Sequence, residues 1–377
     1  MRLDPRIIRS QSAVEVYLTA TPDPAADPQA EAARMFAAIR QEADRAGARI
    51  CRQRVFVPDG RLDAYTRAWQ AEGGAGREDR WCSWLRAGPV SPGGVQAHAL
   101  GGSVQWSPLR DGTGAVAGWI CRNGRTRWAL AGGLCLPKAD DDEASTREAL
   151  ESARRLLEQA GMTFRDVART WFFLDDILAW YPRFNAGRND VFRRIGLLGP
   201  DTGANPDVPA STGIGVSPAC GSRLAMELFA VSGPGGCILR RPAAGRQKSA
   251  FHYGSAFARA AEALTPAGRT VFVSGTAAID EEGRTCFLDD APGQIRMTLR
   301  NVQAVLSDMR CGPSDVVEAI AYCKTPAIAE QFAEELRQAA SPAKESAAWP
   351  WVVIVCDVCR DDLLFEIEAT ACQAVAR

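Results

Sequence analysis

Glu366 and Glu368, near the C-terminal end, are the residues whose type and spacing could first do chemistry. Leu363 to Ala369 alternates as a β-strand would. Leu363, Phe365, Ile367 and Ala369 fall on one face, and Leu364, Glu366 and Glu368 on the other. Two carboxylates therefore share a face. Facing water they would be ordinary surface charges, as most glutamates are. Lining a cavity, desolvation would raise a carboxyl pKa and make it a proton donor near neutral pH. Spacing alone leaves both open. Cys356-x-x-Cys359 is the one close cysteine pair, with no second pair or histidine cluster to complete a zinc site, so no metal is expected. His98 and His252 are the only histidines and no nucleophile elbow is present, which argues against a Ser-His-Asp hydrolase.

The glutamates belong to a longer plan. Trp349 to Ala371 reads as two strands joined by a polar turn at Arg360-Asp361-Asp362, with Val352 to Val355 as the β-branched first member. The same plan occurs twice. Arg127 to Leu136 and Thr270 to Ile279 are apolar strands broken by glycine, and amphipathic helices follow at 143–161 and 292–312. Strands at 170–174 and 319–323 come next, then helices at 179–195 and 328–340. Each unit closes on a strand pair, Thr212 to Ser217 with Leu224 to Val231, and Val352 to Cys356 with Leu363 to Thr370. Gly132 would answer to Gly275 and Glu227 to Glu366. Ser232-Gly233-Pro234-Gly235-Gly236 breaks regular structure between the copies.

An α+β fold of two tandem sheet-plus-helix units, 96–235 and 236–377, is expected, with 1–95 as an N-terminal extension of unassigned role. In that extension Glu31 to Ala46 has helical spacing and Ile50 to Val57 strand character, and Trp69, Trp81 and Trp84 read as packing residues.

A formal charge of −1 offers no global field for nucleic acid. No apolar run is long enough to span a membrane, and no apolar signal core follows Met1, so the chain reads as cytoplasmic. The 12 cysteines follow no repeating frame, which suits reduced thiols. Only four basic residues are Lys (Lys138, Lys248, Lys324, Lys344); the rest are Arg, the better fork for carboxylates.

The order of elements, with SGTAAIDEEG early and LLFEIEATA late, resembles the YjgF-type reactive-intermediate deaminases, chorismate-mutase-like α+β domains that assemble as trimers with ligand clefts between subunits. Their imine chemistry uses an arginine in a Pro-Ala-Arg element, but this chain reads Pro209-Ala210-Ser211 and Trp349-Pro350-Trp351 there. From about residue 100 onward the chain is more similar to the chorismatases. The resemblance rests on TWFFLDDILAWYPRFNAGRNDVF (170–192), PASTGIG (209–215), YGSAFARA (253–260), FVSGTAAI (272–279), AYCK (321–324) and DVCRDDLLFEIEAT (357–370).

The resemblance implies a cofactor-free enzyme that releases pyruvate from chorismate, with Glu366 as the acid that protonates the enolpyruvyl methylene. Gly275 and Cys359, seven residues before the glutamate, resemble the branch forming 3-hydroxybenzoate, with the cysteine assisting aromatisation if its pKa is lowered. Hydrolysis to a dihydroxycyclohexadiene carboxylate and imine deamination are the alternatives. Chorismate carries two carboxylates, for which Arg188, Arg259, Lys324 and Arg360 are the candidate cations. Tyr253, Ser255 and Tyr322 are candidate hydrogen-bond donors. Monomer and homotrimer both remain open, because tandem copies could replace subunit contacts.

Overall fold

The computed structural model describes residues 1–23, 27–74, 81–88, 90–135, 141–199, 207–338, 346 and 348–375. They form three sheets and six α-helices, an α+β arrangement. The first sheet is built from β1 (Arg2–Arg9), β2 (Ala13–Thr21), β3 (Ala48–Val57), β4 (Ser83–Arg86) and β5 (Gly94–Gly102), with α1 (Pro28–Arg45) and α2 (Leu62–Trp69) between strands. The second holds β6 (Gln105–Arg110), β7 (Val116–Asn123), β8 (Thr126–Cys135), α3 (Asp142–Gln159), β9 (Val167–Leu174), α4 (Ile177–Arg194), β10 (Ala210–Ile214) and β11 (Leu224–Ser232). The third holds β12 (Ile238–Arg241), β13 (Ala260–Leu264), β14 (Gly268–Ala277), α5 (Ala291–Asp308), β15 (Val316–Cys323), α6 (Pro326–Arg337), β16 (Trp351–Val355) and β17 (Phe365–Ala374).

Strand orders are β1-β2-β5-β3-β4, β6-β7-β8-β11-β9-β10 and β12-β13-β14-β17-β15-β16. The N-terminal extension thus repeats the plan of the other two. It also runs past residue 95, because β5 pairs with β2 and β3 as far as Gly102.

The two strands that close each unit are not neighbours, contrary to the expected antiparallel pair. β16 lies parallel on β15, while β17 sits between β14 and β15. β17 is buried on both faces, as a central strand must be, and the segment from Cys356 to Leu364 is too long for a tight hairpin turn. That segment crosses from the edge of the sheet to its centre. Leu363 and Leu364 precede the strand, so they do not follow its alternation: Leu363 joins the central core and Leu364 packs toward the helices.

One face of each sheet is covered by its own helices. Leu150, Leu157 and Phe184 do this in the second unit, Ile295, Leu299 and Phe332 in the third, and Met35, Phe36 and Ile39 in the first. The opposite faces meet in one shared core that includes Phe56, Trp128, Phe229, Phe272 and Ile320. Polar seams cross it. At the seam of the first and third units, Glu15 accepts from the Ala267 N–H (2.7 Å) and the Tyr17 hydroxyl (2.9 Å) and lies 3.2 Å from His98 Nε2, whose ring stacks on Tyr17 at 4.3 Å. Burial alone would lower the His98 pKa, but Cys51 and Glu15 beside it hold it at about 10. A folded-state pKa raised above the unfolded value of 6.5 gives stability that is complete below pH 6.5 and lost as pH rises through about 10. Thermal melting across that window is expected to fall more steeply for the native chain than for His98→Gln, by a few kcal/mol.

Candidate active site

A cleft of about 460 Å³ opens between the second and third units. The second unit supplies the face of α4 with Asn185, Arg188 and Asn189, and Ser211, Thr212 and Gly213 of β10. The third supplies Ser255, Phe257 and Arg259 ahead of β13, Gly275 of β14, Cys359 and Arg360 of the crossing segment, and Glu366 of β17. Sequence distance is closed by topology. β17 runs beside β14 with Glu366 opposite Ala277, and the crossing segment carries Cys359 back over the strand ends.

Glu366 is only 5% exposed. Burial first, and the neighbouring Glu368 second, raise its carboxyl pKa to about 8, against the opposing pull of Arg259, Arg169 and Arg360. The face carrying both glutamates is therefore not solvated; it looks into the shared core and the cleft. Glu368 accepts from Arg169 Nη2 (2.9 Å), Trp171 Nε1 (3.1 Å) and Arg54 Nη1 (3.3 Å).

Room for Glu366 comes from Gly275, which sits in a bulge where the β14–β17 register shifts. A Cβ there would overlap Oε1 of Glu366 and stand 3.3 Å from Thr212 Cγ2. The Gly275 N–H donates to Thr212 Oγ1 at 3.0 Å, which ties β14 to β10 across the cleft.

The cations are braced. Arg188, buried on α4, donates to Asn185 Oδ1 (2.6 Å) and stacks over Phe184 at 5.0 Å. Arg259 donates from Nε to the Lys248 carbonyl (3.2 Å) and lies over Phe257 at 5.3 Å; it precedes β13 and is not helical. Arg360 holds the Gly283 carbonyl at 2.8 Å. Such anchoring sets each guanidinium before a ligand arrives, and a guanidinium can fork to a carboxylate.

Cys359 stays a thiol: burial first, then the Glu366 carboxyl, push it up to about 12, so the lowered pKa that a nucleophilic role would need is not met.

Two expected site residues lie elsewhere. Tyr322 is fully buried in β15; paired with Glu366 in the ladder it shares that residue's face, but it packs in the shared core and is not part of the cleft wall. Lys324 is drawn to the Asp361 carbonyl at 2.6 Å and braces the crossing segment from outside. The side chain of Tyr253 falls outside the described residues. Asn185, Ser211 and Thr212 line the cleft without having been singled out, although FNAGR and PASTGIG contain them.

The three units are not chemically equal. The matching pairs Phe56↔Gly94, Phe173↔Ala225 and Tyr322↔Glu366 put Gly94 and Ala225 where the third unit has its acid. Glu227 therefore answers to Glu368, not to Glu366, a two-residue slip that comparison of spacings could not detect. At the seam of the first and second units the ring of Trp81 packs against Gly132.

Residues 253–373 match the family model described as Endoribonuclease L-PSP. A crystal structure of chorismatase shares the fold, with a TM-score of 0.60 over 98% of each chain at 17% identity. Over 251 residues the chain is 30% identical to a 3-hydroxybenzoate synthase of Streptomyces hygroscopicus, covering 59% of this chain and 68% of that protein. Identity sustained across two thirds of that relative, on a fold common to the whole length of the crystal structure, means that the chain belongs to the chorismatase family of enzymes.

Proposed function

We propose that the chain cleaves chorismate to 3-hydroxybenzoate and pyruvate in the cleft between the second and third units. The observation that carries this reading is Glu366, a buried carboxyl raised to about 8, facing a recess that also holds Arg188, Arg259 and Arg360. Protonating a vinyl carbon needs an acid that keeps its proton at neutral pH and is shielded from water. The arginines suit the two carboxylates of chorismate.

In this reading Glu366 gives its proton to the enolpyruvyl methylene, which becomes the methyl of pyruvate. The substrate's C4 hydroxyl oxygen attacks C3 as the C3–O ether bond breaks and pyruvate leaves, giving an arene-oxide-type intermediate that keeps the hydroxyl proton on its oxygen. Opening and aromatisation of the ring return a proton to Glu366, so the balance closes without water or cofactor. Cys359, a neutral thiol on the cleft wall, relays that proton in one concerted step, taking it from the ring as its own passes to Glu366, so that no thiolate forms and no lowered pKa is needed. Both walls come from one chain, so a second copy is not needed to complete the site.

Hydrolysis to the diene diol is the second reading, favoured by the polar lining of Ser211, Thr212 and Asn185, which could seat a water. Chromatography of the product against 3- and 4-hydroxybenzoate standards, with pyruvate assayed in parallel, decides between them. Cys359→Ala is expected to lower 3-hydroxybenzoate formation about tenfold or more while pyruvate release stays within about twofold, because the first proton transfer does not use the thiol. Equal loss of both products would remove Cys359 from the aromatising step. Imine deamination has little support, since Ser211 occupies the place of the family arginine.

A further inference from the structure

Behind the cleft lies a set of buried charges that the reaction itself does not touch. Arg54, on β3 of the first unit, pairs with Glu227 at 2.6 Å and with Glu368 at 3.3 Å. Arg169, on β9 of the second, pairs with Glu368 at 2.9 Å and donates to Thr212 Oγ1 at 2.5 Å. Two guanidiniums thus face two carboxylates, and the adjacent Arg52 and Glu318 form a further buried pair. The set is neutral before Glu366 is counted.

Glu366 stands two residues along β17 from Glu368, on the same face and roughly 7 Å away along the strand. It is also faced by Tyr322 of β15, Arg169 of β9, Arg188 of α4, Arg259 ahead of β13, and Cys356, Cys359 and Arg360 of the crossing segment. The cleft arginines among these will be engaged by the substrate's own carboxylates if the proposed reaction is right, which leaves Glu368 as a fixed anion beside the acid.

We propose that Glu368 is a positioning residue for Glu366: a carboxylate clamped by guanidiniums of the first and second units keeps the proton on its neighbour. The first unit, none of whose described residues lines the cleft, then takes part in the chemistry through Arg54. This rests on Glu366 being the acid, but one arm of its test does not need chorismate.

Glu368→Gln is expected to move the basic limb of the kcat/KM profile down by about one pH unit, with activity recovered on the acid side. Arg54→Gln, which takes a cation from the same set, is expected to move it up. Either variant alone decides, should the other fail to fold. Loss of rate at every pH with an unmoved limb is the outcome of a merely structural role and overturns the proposal. Carbon-13 NMR of glutamate-labelled protein, with the Glu366 signal identified by its loss in Glu366→Gln, reads the same midpoint without substrate. A midpoint that moves in a protein that leaves chorismate intact supports this inference and removes the assigned reaction. A midpoint unmoved by Glu368→Gln overturns the inference whatever the protein catalyses.

Discussion

Glu366→Gln is expected to cut pyruvate release from chorismate by about 10³-fold or more, the range typical of a general acid whose proton is the chemical step. An amide keeps the shape of the side chain and has no proton to give. The native enzyme should show a kcat/KM that is flat below about pH 8 and falls above it, because only the protonated carboxyl can act. Stability falls with rising pH as well, but at lower pH than the activity. A carboxyl held at about 8 in the folded state, against 4.5 for the ordinary group, destabilises the fold progressively as pH rises between those values. The variant is therefore expected to melt no lower than the native protein above pH 8 while losing its activity. Full activity in Glu366→Gln would remove the proposed mechanism.

Gly275→Ala is expected to lower kcat/KM about 10²-fold, the scale of a displacement of about 1 Å at a reacting group. The added Cβ overlaps Oε1 of Glu366 and would lie 3.1 Å from its Cδ. The far end of the glutamate can swing away more easily than the backbone of β14 can shift, since the Gly275 N–H is held by Thr212. The acid gives way and the fold does not. Melting temperature should change little while pyruvate release falls, and a larger side chain at 275 should do more. Native activity in Gly275→Ala would mean that Glu366 does not work from the position it occupies in this structure.

Much of the fold was legible from periodicity. The helices around Leu150 and Leu299, the helix around Met35 and the strand from Ile50 to Val57 follow from apolar spacing, which survives because each element buries one stripe. Strand partners were not legible. The edge strands β10 and β16 lie parallel on β9 and β15, and nothing in Val352 to Val355 distinguishes that from a hairpin with β17. The N-terminal sheet escaped recognition as a third copy because its strings differ while its topology does not.

The sequence by itself determined that Glu366 and Glu368 share a strand face, that Arg188, Arg259, Cys359 and Gly275 sit in strings like those of chorismatases, and that the chain is α+β. Tertiary structure alone decided that this face is dry, that α4 and β10 of one unit close the cleft of the next, and that Tyr322 and Lys324 stand away from it. The reason is physical. Alternation is a property of a few consecutive residues, whereas the pKa of a carboxyl depends on everything packed within several ångströms of it, and for Glu366 that includes Arg169, nearly two hundred residues away in sequence.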